Sequence, residues 1–96
     1  MLSARQRGYL CGLAQSRDCL VVLGRLGATS ELSGRLAELL AIHELVKLRF
    51  GDFKQSRREI AASLAEGANA ELVRIVGNVA IFWKPNPEKP KIVIDA

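Results

Sequence analysis

The chain has 96 residues, of which 49% are hydrophobic and 25% are charged, and its formal net charge at pH 7 is +4. This length predicts one domain, spanning residues 1–96, with a single modest hydrophobic core, and the composition excludes a chain that is disordered throughout. The sequence holds no stretch long enough for a membrane span and no apolar segment that fits the core of a signal peptide, so we expect a cytoplasmic protein.

Helix and strand signals alternate from the start of the chain. Ser3 and Gln6 have the spacing of a capping box and predict a first helix over residues 4–14. After a polar turn, the apolar run at residues 19–23 predicts a strand that is buried on both of its faces.

A second helix, a second strand and a third helix follow. Either Thr29 or Ser30 can cap the second helix, whose leucines recur at helical spacing. Residues 45–50 alternate between apolar and basic side chains, which is typical of a strand with one buried face. The third helix is predicted over residues 53–66, and Gly67 is expected to end it.

The last third of the chain predicts a hairpin. Residues 72–76 and 79–84 flank the dipeptide Gly77-Asn78, which suits a two-residue turn of type II′. Prolines then end regular structure, and residues 92–94 form either a short final strand or a tail packed on the sheet. The element order α-β-α-β-α-β-β predicts an α/β fold, a two-layer α/β sandwich with a four-stranded mixed sheet and three helices.

A glycine motif, Gly24-Arg25-Leu26-Gly27, lies between the first strand and the second helix. Glycine allows a tight turn and the close approach of another molecule, because it carries no Cβ. The helix that starts just after the motif offers unpaired N–H groups and the positive end of its dipole, and Arg25 adds a cation. These features suit a phosphate of a nucleic-acid backbone. The alternative interpretation is a tight turn that merely contains an arginine.

Positive charge is concentrated in the middle of the chain. Between residues 47 and 58 the only acid is Asp52, and the cations are Lys47, Arg49, Lys54, Arg57 and Arg58. The last three have the spacing of one helix face. Such a cluster is typical of a surface that binds a polyanion, although a solvated helix face has the same pattern.

The aromatic residues offer little for the recognition of bases. The side chains that we expect to pack in the core or on the hairpin are Phe50, Phe53, Phe82 and Trp83. Without a row of exposed aromatic side chains on which bases can stack, the specificity for an RNA sequence would be modest.

Patterns for catalysis and metal binding are missing from the sequence. His43 and Glu44 are adjacent, which is the one arrangement that suggests acid–base chemistry, but a histidine near the end of a helix is commonly a capping residue. Cys11 and Cys19 lack the spacing of a zinc site, and their apolar neighbours predict buried, reduced thiols. We therefore expect no enzyme activity, no metal ion, no cofactor and no small-molecule substrate.

Several short segments, taken in order and with their spacing, resemble one protein family. They are Gln6, Leu10-Cys11-Gly12-Leu13-Ala14, Val22-Leu23-Gly24, Gly27, Thr29, His43-Glu44-Leu45-Val46-Lys47, Val76-Gly77-Asn78 and Trp83-Lys84-Pro85. The set resembles the CRM domain, named for chloroplast RNA splicing and ribosome maturation. It is most similar to the bacterial single-domain YhbY-like proteins.

This resemblance implies an RNA-binding domain related to the C-terminal domain of a bacterial translation initiation factor, with a GxxG loop similar to that of the KH domain. Bacterial family members associate with precursors of the large ribosomal subunit, so the resemblance implies that the chain binds rRNA and assists ribosome assembly. We expect it to be a monomer. The residues that the resemblance assigns to RNA binding are Gly24, Arg25, Leu26, Gly27, Thr29, Lys47, Lys54, Arg57 and Arg58, together with Arg5 and Arg7. Leu26 departs from the family, in which this position is usually polar or basic.

A different class of function also fits the sequence. A protein-interaction module would bind an acidic partner through the same basic face or through a sheet edge. Sensitivity of the complex to RNase separates the two hypotheses, because only an RNA complex depends on intact RNA.

Overall fold

The computed structural model describes residues 2–88 and 90–93. Its helices are α1 (Ala4–Ala14), α2 (Ser30–His43) and α3 (Arg57–Gly67), and its strands are β1 (Cys19–Leu23), β2 (Leu45–Phe50), β3 (Glu71–Val76) and β4 (Val79–Trp83). A 3₁₀ turn, Lys54–Ser56, precedes α3. The observed order confirms the predicted α/β fold with three helices and a four-stranded sheet.

Hydrogen bonds between neighbouring residues fix the start of the first two helices. The hydroxyl of Ser3 accepts a bond from the N–H of Gln6 (3.1 Å), and Oε1 of Gln6 accepts one from the N–H of Ser3 (2.9 Å), which is the predicted capping box. At α2, Oγ1 of Thr29 accepts a bond from the N–H of Leu32 (3.1 Å). Of the two predicted capping residues, Thr29 is therefore the one that caps α2.

The sheet is mixed, as predicted, and its strand order is β1-β2-β4-β3. β1 pairs with β2 in parallel, and the other two pairs are antiparallel, so that β1 and β3 form the edges. In the turn between β3 and β4, Gly77 has a φ of 59°, whereas Asn78 is not among the residues with positive φ. That combination fits the predicted type II′ turn.

The core is divided between the two faces of the sheet. The side chains buried between α2, α3 and the sheet include Leu36, Leu40, Val46, Leu48, Phe50, Leu64 and Phe82. The side chains buried on the opposite face, beneath α1, include Leu10, Ala14, Leu45, Val73, Ile81 and Ile92. The two-layer arrangement thus holds for the sheet with α2 and α3, and α1 adds a partial third layer.

Strand β1 is not buried on both faces, which corrects the prediction drawn from its apolar run. Val21 and Leu23 are buried in the core, whereas Leu20 is 43% exposed and Val22 is 48% exposed. The reason is the position of α1, which packs against β2 and β3 and leaves the same face of β1 uncovered.

Both ends of α3 differ in detail from the prediction. Phe53 has a φ of 55° and lies outside the helix, and α3 itself begins at Arg57. α3 does end at Gly67, but the left-handed residue after it is Asn69, with a φ of 54°. Gly67 also allows the close approach of α2, because a Cβ on it would lie 3.1 Å from Oγ of Ser33.

The described part of the C-terminal segment forms a tail rather than a fifth strand. Ile92 is buried in the cluster beneath α1. Of the two alternatives for residues 92–94, packing of a tail is therefore the one observed at Ile92, and the final residue of that prediction, Ile94, lies outside the described residues.

Candidate nucleic-acid interface

The glycine motif forms a compact turn between β1 and α2. The N–H of Gly27 donates to the carbonyl oxygen of Gly24 (3.0 Å), and the N–H of Thr29 donates to the carbonyl oxygen of Gly27 (3.1 Å). Arg25 and Leu26 lie at the tip of the turn, where 89% of the surface of Leu26 is exposed. The turn therefore presents one cation and one apolar side chain to solvent.

The two glycines of this loop differ in what the fold requires of them. Gly27 has a φ of 72°, in the left-handed region that glycine tolerates better than any other residue. Gly24 has no positive φ, and no atom beyond its chain neighbours lies within 4 Å of the position that its Cβ would occupy. The conformation of the chain accordingly favours a glycine at Gly27, whereas at Gly24 it leaves open space that another molecule can approach.

Thr29 lies next to the loop, but its hydroxyl already has a partner within the chain. Oγ1 of Thr29 accepts the bond from the N–H of Leu32 that caps α2. Glu31 also lies in the first turn of α2, where its negative charge opposes the binding of an anion at this helix end. The end of α2 is therefore less suited to an anion than the loop tip that carries Arg25.

An open groove of about 710 Å³ runs beside the loop. Besides loop residues, its walls include Val22 of β1 and three residues of α2, which are Glu31, Leu32 and Arg35. Arg25 and Arg35 thus place two guanidinium groups on one groove. Arg35 was not identified from the sequence as a binding residue. The available signal is its position three residues after Leu32, which places both side chains on one face of the helix.

A second turn, at residues 51–53, packs directly against the glycine loop. The N–H of Gly51 donates to the carbonyl oxygen of Leu23 (2.9 Å), and a Cβ on Gly51 would lie only 3.2 Å from that oxygen. At the other end of this turn, Cε2 of the Phe53 ring lies 3.5 Å from the position that a Cβ on Gly27 would occupy. Two segments that are distant in the sequence are thereby held side by side.

This second turn leads straight into the basic cluster at the start of α3. Lys54 follows Phe53 in the chain, and the guanidinium of Arg57 donates to the carbonyl oxygen of Lys54 (2.8 Å). Lys54 and Arg58 are exposed and Arg57 is half-buried. Lys54 therefore follows directly on the turn that packs against the glycine loop, and Arg57 and Arg58 open the helix after it.

Two other predicted cations are engaged by the fold itself. Lys47 lies on the sheet face that α1 partly covers, and its Nζ donates to a main-chain oxygen in the turn before β1 (2.9 Å). The guanidinium of Arg7 donates to the carbonyl oxygens of Leu72 and Val73, both at 2.7 Å, on the edge strand β3. Arg5 is exposed on α1, on a different element from the glycine loop. The structure thus does not gather these three residues around the loop.

The uncovered part of the sheet forms a surface that sequence reasoning did not identify. Val22, Arg49, Val79 and Val76 are successive neighbours across β1, β2, β4 and β3. Val22 and Val76 are 48% and 56% exposed, and Arg49 is exposed between its apolar neighbours. This row adjoins the groove beside the loop, because Val22 belongs to both.

His43 and Glu44 do not form an acid–base pair. Glu44 is 1% exposed, and its carboxylate accepts hydrogen bonds from the N–H groups of Asn86 (2.6 Å), Lys91 and Ile92 (2.9 Å). Burial raises the pKa of Glu44, but these three hydrogen bonds and the positive charge of Lys91 outweigh that effect and hold the pKa below its usual value. Glu44 is therefore a charged residue that anchors the C-terminal tail.

Within residues 2–88 and 90–93, no three His, Cys, Asp or Glu side chains are grouped as metal ligands. In the same ranges, no helix combines the length and the apolar character needed to cross a membrane. Cys11 and Cys19 are free thiols that are half-buried, and not fully buried as we expected.

One protein family matches this chain over most of its length. Residues 2–84 match the family model of the CRS1 / YhbY (CRM) domain. The chain belongs to this family. The resemblance seen in the sequence is thereby confirmed over nearly the whole chain.

Individual relatives of this CRM domain are named for RNA. The Bacillus subtilis protein named "Probable RNA-binding protein YqeI" is 25% identical over 93 residues, which cover 96% of this chain and 97% of that protein. A Haemophilus influenzae protein named "RNA-binding protein" is 27% identical over 88 residues, covering 91% and 89% of the two chains. The solution structure of SAV1595 from Staphylococcus aureus, described as "a putative RNA binding protein", aligns with a TM-score of 0.83 at 26% identity, covering 99% of this chain and 100% of that one.

The two glycines of the CRM domain's loop should respond differently to substitution. Gly27→Ala is expected to lower the free energy of unfolding by about 1–2 kcal/mol, because alanine at a φ of 72° is strained. Gly24→Ala is expected to change it by less than about 0.5 kcal/mol, because its Cβ meets no atom. Urea unfolding followed by circular dichroism measures both values. Equal effects of the two substitutions would contradict this account of the loop.

Proposed function

We propose that this CRM domain, acting as a single domain, binds RNA through the glycine loop and the cations beside it. The observation that carries the proposal is the packing of two turns: the Gly51–Leu23 hydrogen bond and the closeness of the Phe53 ring to Gly27 set the turn that leads into Lys54 and α3 next to the loop. An RNA backbone that contacts the loop would then continue toward the cations that follow this turn. The names of the relatives support RNA as the polyanion.

The charges around the glycine loop suit an RNA backbone. The cations are Arg25, Arg35, Lys54, Arg57 and Arg58, and the acids nearest to them in the chain are Glu31, Glu38, Asp52 and Glu59. Since Oδ1 of Asp52 accepts a bond from the N–H of Phe53, part of that negative charge is already engaged. The excess of arginine favours paired hydrogen bonds to phosphate oxygens.

We further propose that the RNA is rRNA in precursors of the large ribosomal subunit, and that the protein assists ribosome assembly in the cytoplasm as a monomer. The resemblance to bacterial YhbY-like proteins supports this narrower statement. The relatives are named for RNA binding, so the proposed role is one of binding.

Sedimentation of a bacterial lysate that contains the tagged protein tests the proposal. We expect the protein to migrate with large-subunit particles at low salt, and to leave them when RNase is added or the salt is raised. If the protein stays at the top of the gradient and purified rRNA also fails to bind it, the proposal is wrong.

The salt dependence of binding to purified rRNA gives a quantitative prediction. If Arg25, Lys54, Arg57 and Arg58 each neutralise one phosphate, the logarithm of the binding constant should fall against the logarithm of salt concentration with a slope of about −3. Filter binding over a range of KCl concentrations measures the slope. A slope close to zero would show that backbone phosphates are not the main contact.

A protein partner remains the second candidate, and one observation favours it. Strand β1 lies at an edge of the sheet and exposes Leu20 and Val22, so a partner strand has both a free edge and apolar side chains to contact. A complex that survives RNase and includes a second protein would support this function in place of the first.

A further inference from the structure

Phe53 is the aromatic side chain that does not follow the expectation of core packing. Phe50 and Phe82 are 1% and 0% exposed, but 43% of Phe53 is exposed, and it belongs to neither hydrophobic cluster. Its φ of 55° is also a genuine outlier for a bulky side chain. Its position therefore needs an explanation other than the burial of apolar surface.

Hydrogen bonds on both sides of Phe53 hold its main chain in place. The N–H of Phe53 donates to Oδ1 of Asp52 (2.8 Å), and its carbonyl oxygen accepts a bond from the N–H of Ser56 (3.0 Å). Two residues earlier, the N–H of Gly51 donates to Leu23. The ring is thus presented from a turn that is fixed at both ends, and it meets the glycine loop at Gly27.

The surroundings of the ring match what an unpaired nucleotide requires. On one side is the glycine loop with Arg25, and the chain continues from the ring into Lys54 and Arg57, both of which can contact phosphates. If a phosphate met the loop and the next one met Lys54, the base between them would lie close to the ring. Stacking on an aromatic face is tolerant of sequence, because every base has a π face.

We propose that Phe53 is a platform on which an unpaired nucleobase stacks while the glycine loop holds a neighbouring phosphate. The proposal rests on the proposed function of RNA binding and adds a preference for single-stranded loops, bulges or ends over continuous duplex. Bases within a duplex are already stacked on one another and cannot reach the ring.

The test separates stacking from a purely structural role of the ring. Two probes are used, an oligoadenylate of about ten nucleotides and a ribose-phosphate oligomer of the same length without bases. Phe53→Leu keeps an apolar side chain against Gly27 but removes the aromatic face. We expect it to weaken binding of the oligoadenylate by about tenfold and to leave binding of the abasic oligomer unchanged, whereas Phe53→Trp keeps the affinity for both probes.

Controls in the same protein make each outcome decisive. Tyr9→Leu removes another exposed aromatic ring, on α1 and 51% exposed, and is expected to change neither affinity. Equal weakening of both probes by Phe53→Leu would mean that the ring only supports the loop, and the stacking proposal would be wrong. Unchanged binding of the oligoadenylate in Phe53→Leu would also overturn it. If the unaltered protein binds neither these probes nor rRNA, then RNA binding itself is wrong.

Discussion

Replacing Arg25 and Arg57 together with glutamate is expected to abolish measurable RNA binding while the fold is retained. Each arginine would lose a charge-assisted contact to phosphate and gain a repulsive charge, so we expect the affinity to fall by roughly 100-fold or more. The fold should tolerate both changes. Arg25 is exposed, and a glutamate at the first position of α3 interacts favourably with the helix dipole. Filter binding with purified rRNA, and thermal unfolding followed by circular dichroism, measure the two properties.

A matched variant separates a local effect from that of total charge. Arg74→Glu lowers the net charge by the same amount as Arg25→Glu, but Arg74 is exposed on β3, which lies at the opposite edge of the sheet from β1 and its glycine loop. We expect Arg25→Glu to weaken binding substantially more than Arg74→Glu. If the two single variants weaken binding equally, or if the double variant binds as the unaltered protein does, the assigned surface is wrong.

Replacing Glu44 with alanine is expected to have the largest effect on stability. The substitution would leave the N–H groups of Asn86, Lys91 and Ile92 without their acceptor and would open a cavity beneath the tail. Hydrogen bonds to a charged group contribute about 1.5–3 kcal/mol each, so we expect a loss of at least about 3 kcal/mol in the free energy of unfolding. For a domain of this size, that loss lowers the melting temperature by roughly 10 °C or more.

The same carboxylate predicts how stability depends on pH. The pKa of Glu44 is lower in the folded chain than in the unfolded chain, where it is about 4.3. Its contribution is therefore fully present above about pH 5 and is lost as the pH falls through the unfolded-state and then the folded-state pKa. Urea unfolding between about pH 7 and pH 3 should show a smaller loss of stability in Glu44→Gln than in the unaltered protein. If the free energy of unfolding falls equally with pH in the two proteins, the acid sensitivity comes from other groups.

Local signals in the sequence were sufficient for most of the secondary structure. The capping box at Ser3 and Gln6, the cap at Thr29 and the turn at Gly77 each depend on bonds between residues a few positions apart. Such bonds leave a pattern that can be read without the fold. The exposed face of β1 could not be predicted, because its burial depends on where α1 packs and not on its own residues.

In the candidate site, too, features set by neighbouring residues could be predicted from the sequence, and features set by distant residues could not. The glycine loop was visible because its residues are consecutive, whereas the nearness of Phe53 to Gly27 exists only after β1 and β2 have paired. Arg7 and Lys47 carry the positive charge that is typical of RNA-binding residues. Their charged groups, however, already donate hydrogen bonds to main-chain oxygens elsewhere in the chain. Their roles in RNA binding stay predictions that the geometry of the loop does not support.

The hydrogen bond between Gly51 and Leu23 has a thermodynamic consequence. Because it joins segments from two different parts of the chain, a ligand that contacts both turns binds the native protein and not the unfolded chain. Such a ligand, present at about 100 times its Kd, stabilises the native state by about 2.7 kcal/mol. The protein bound to its RNA would consequently resist proteolysis that requires global unfolding better than the free protein does, so that its lifetime in the cell would follow the supply of its partner.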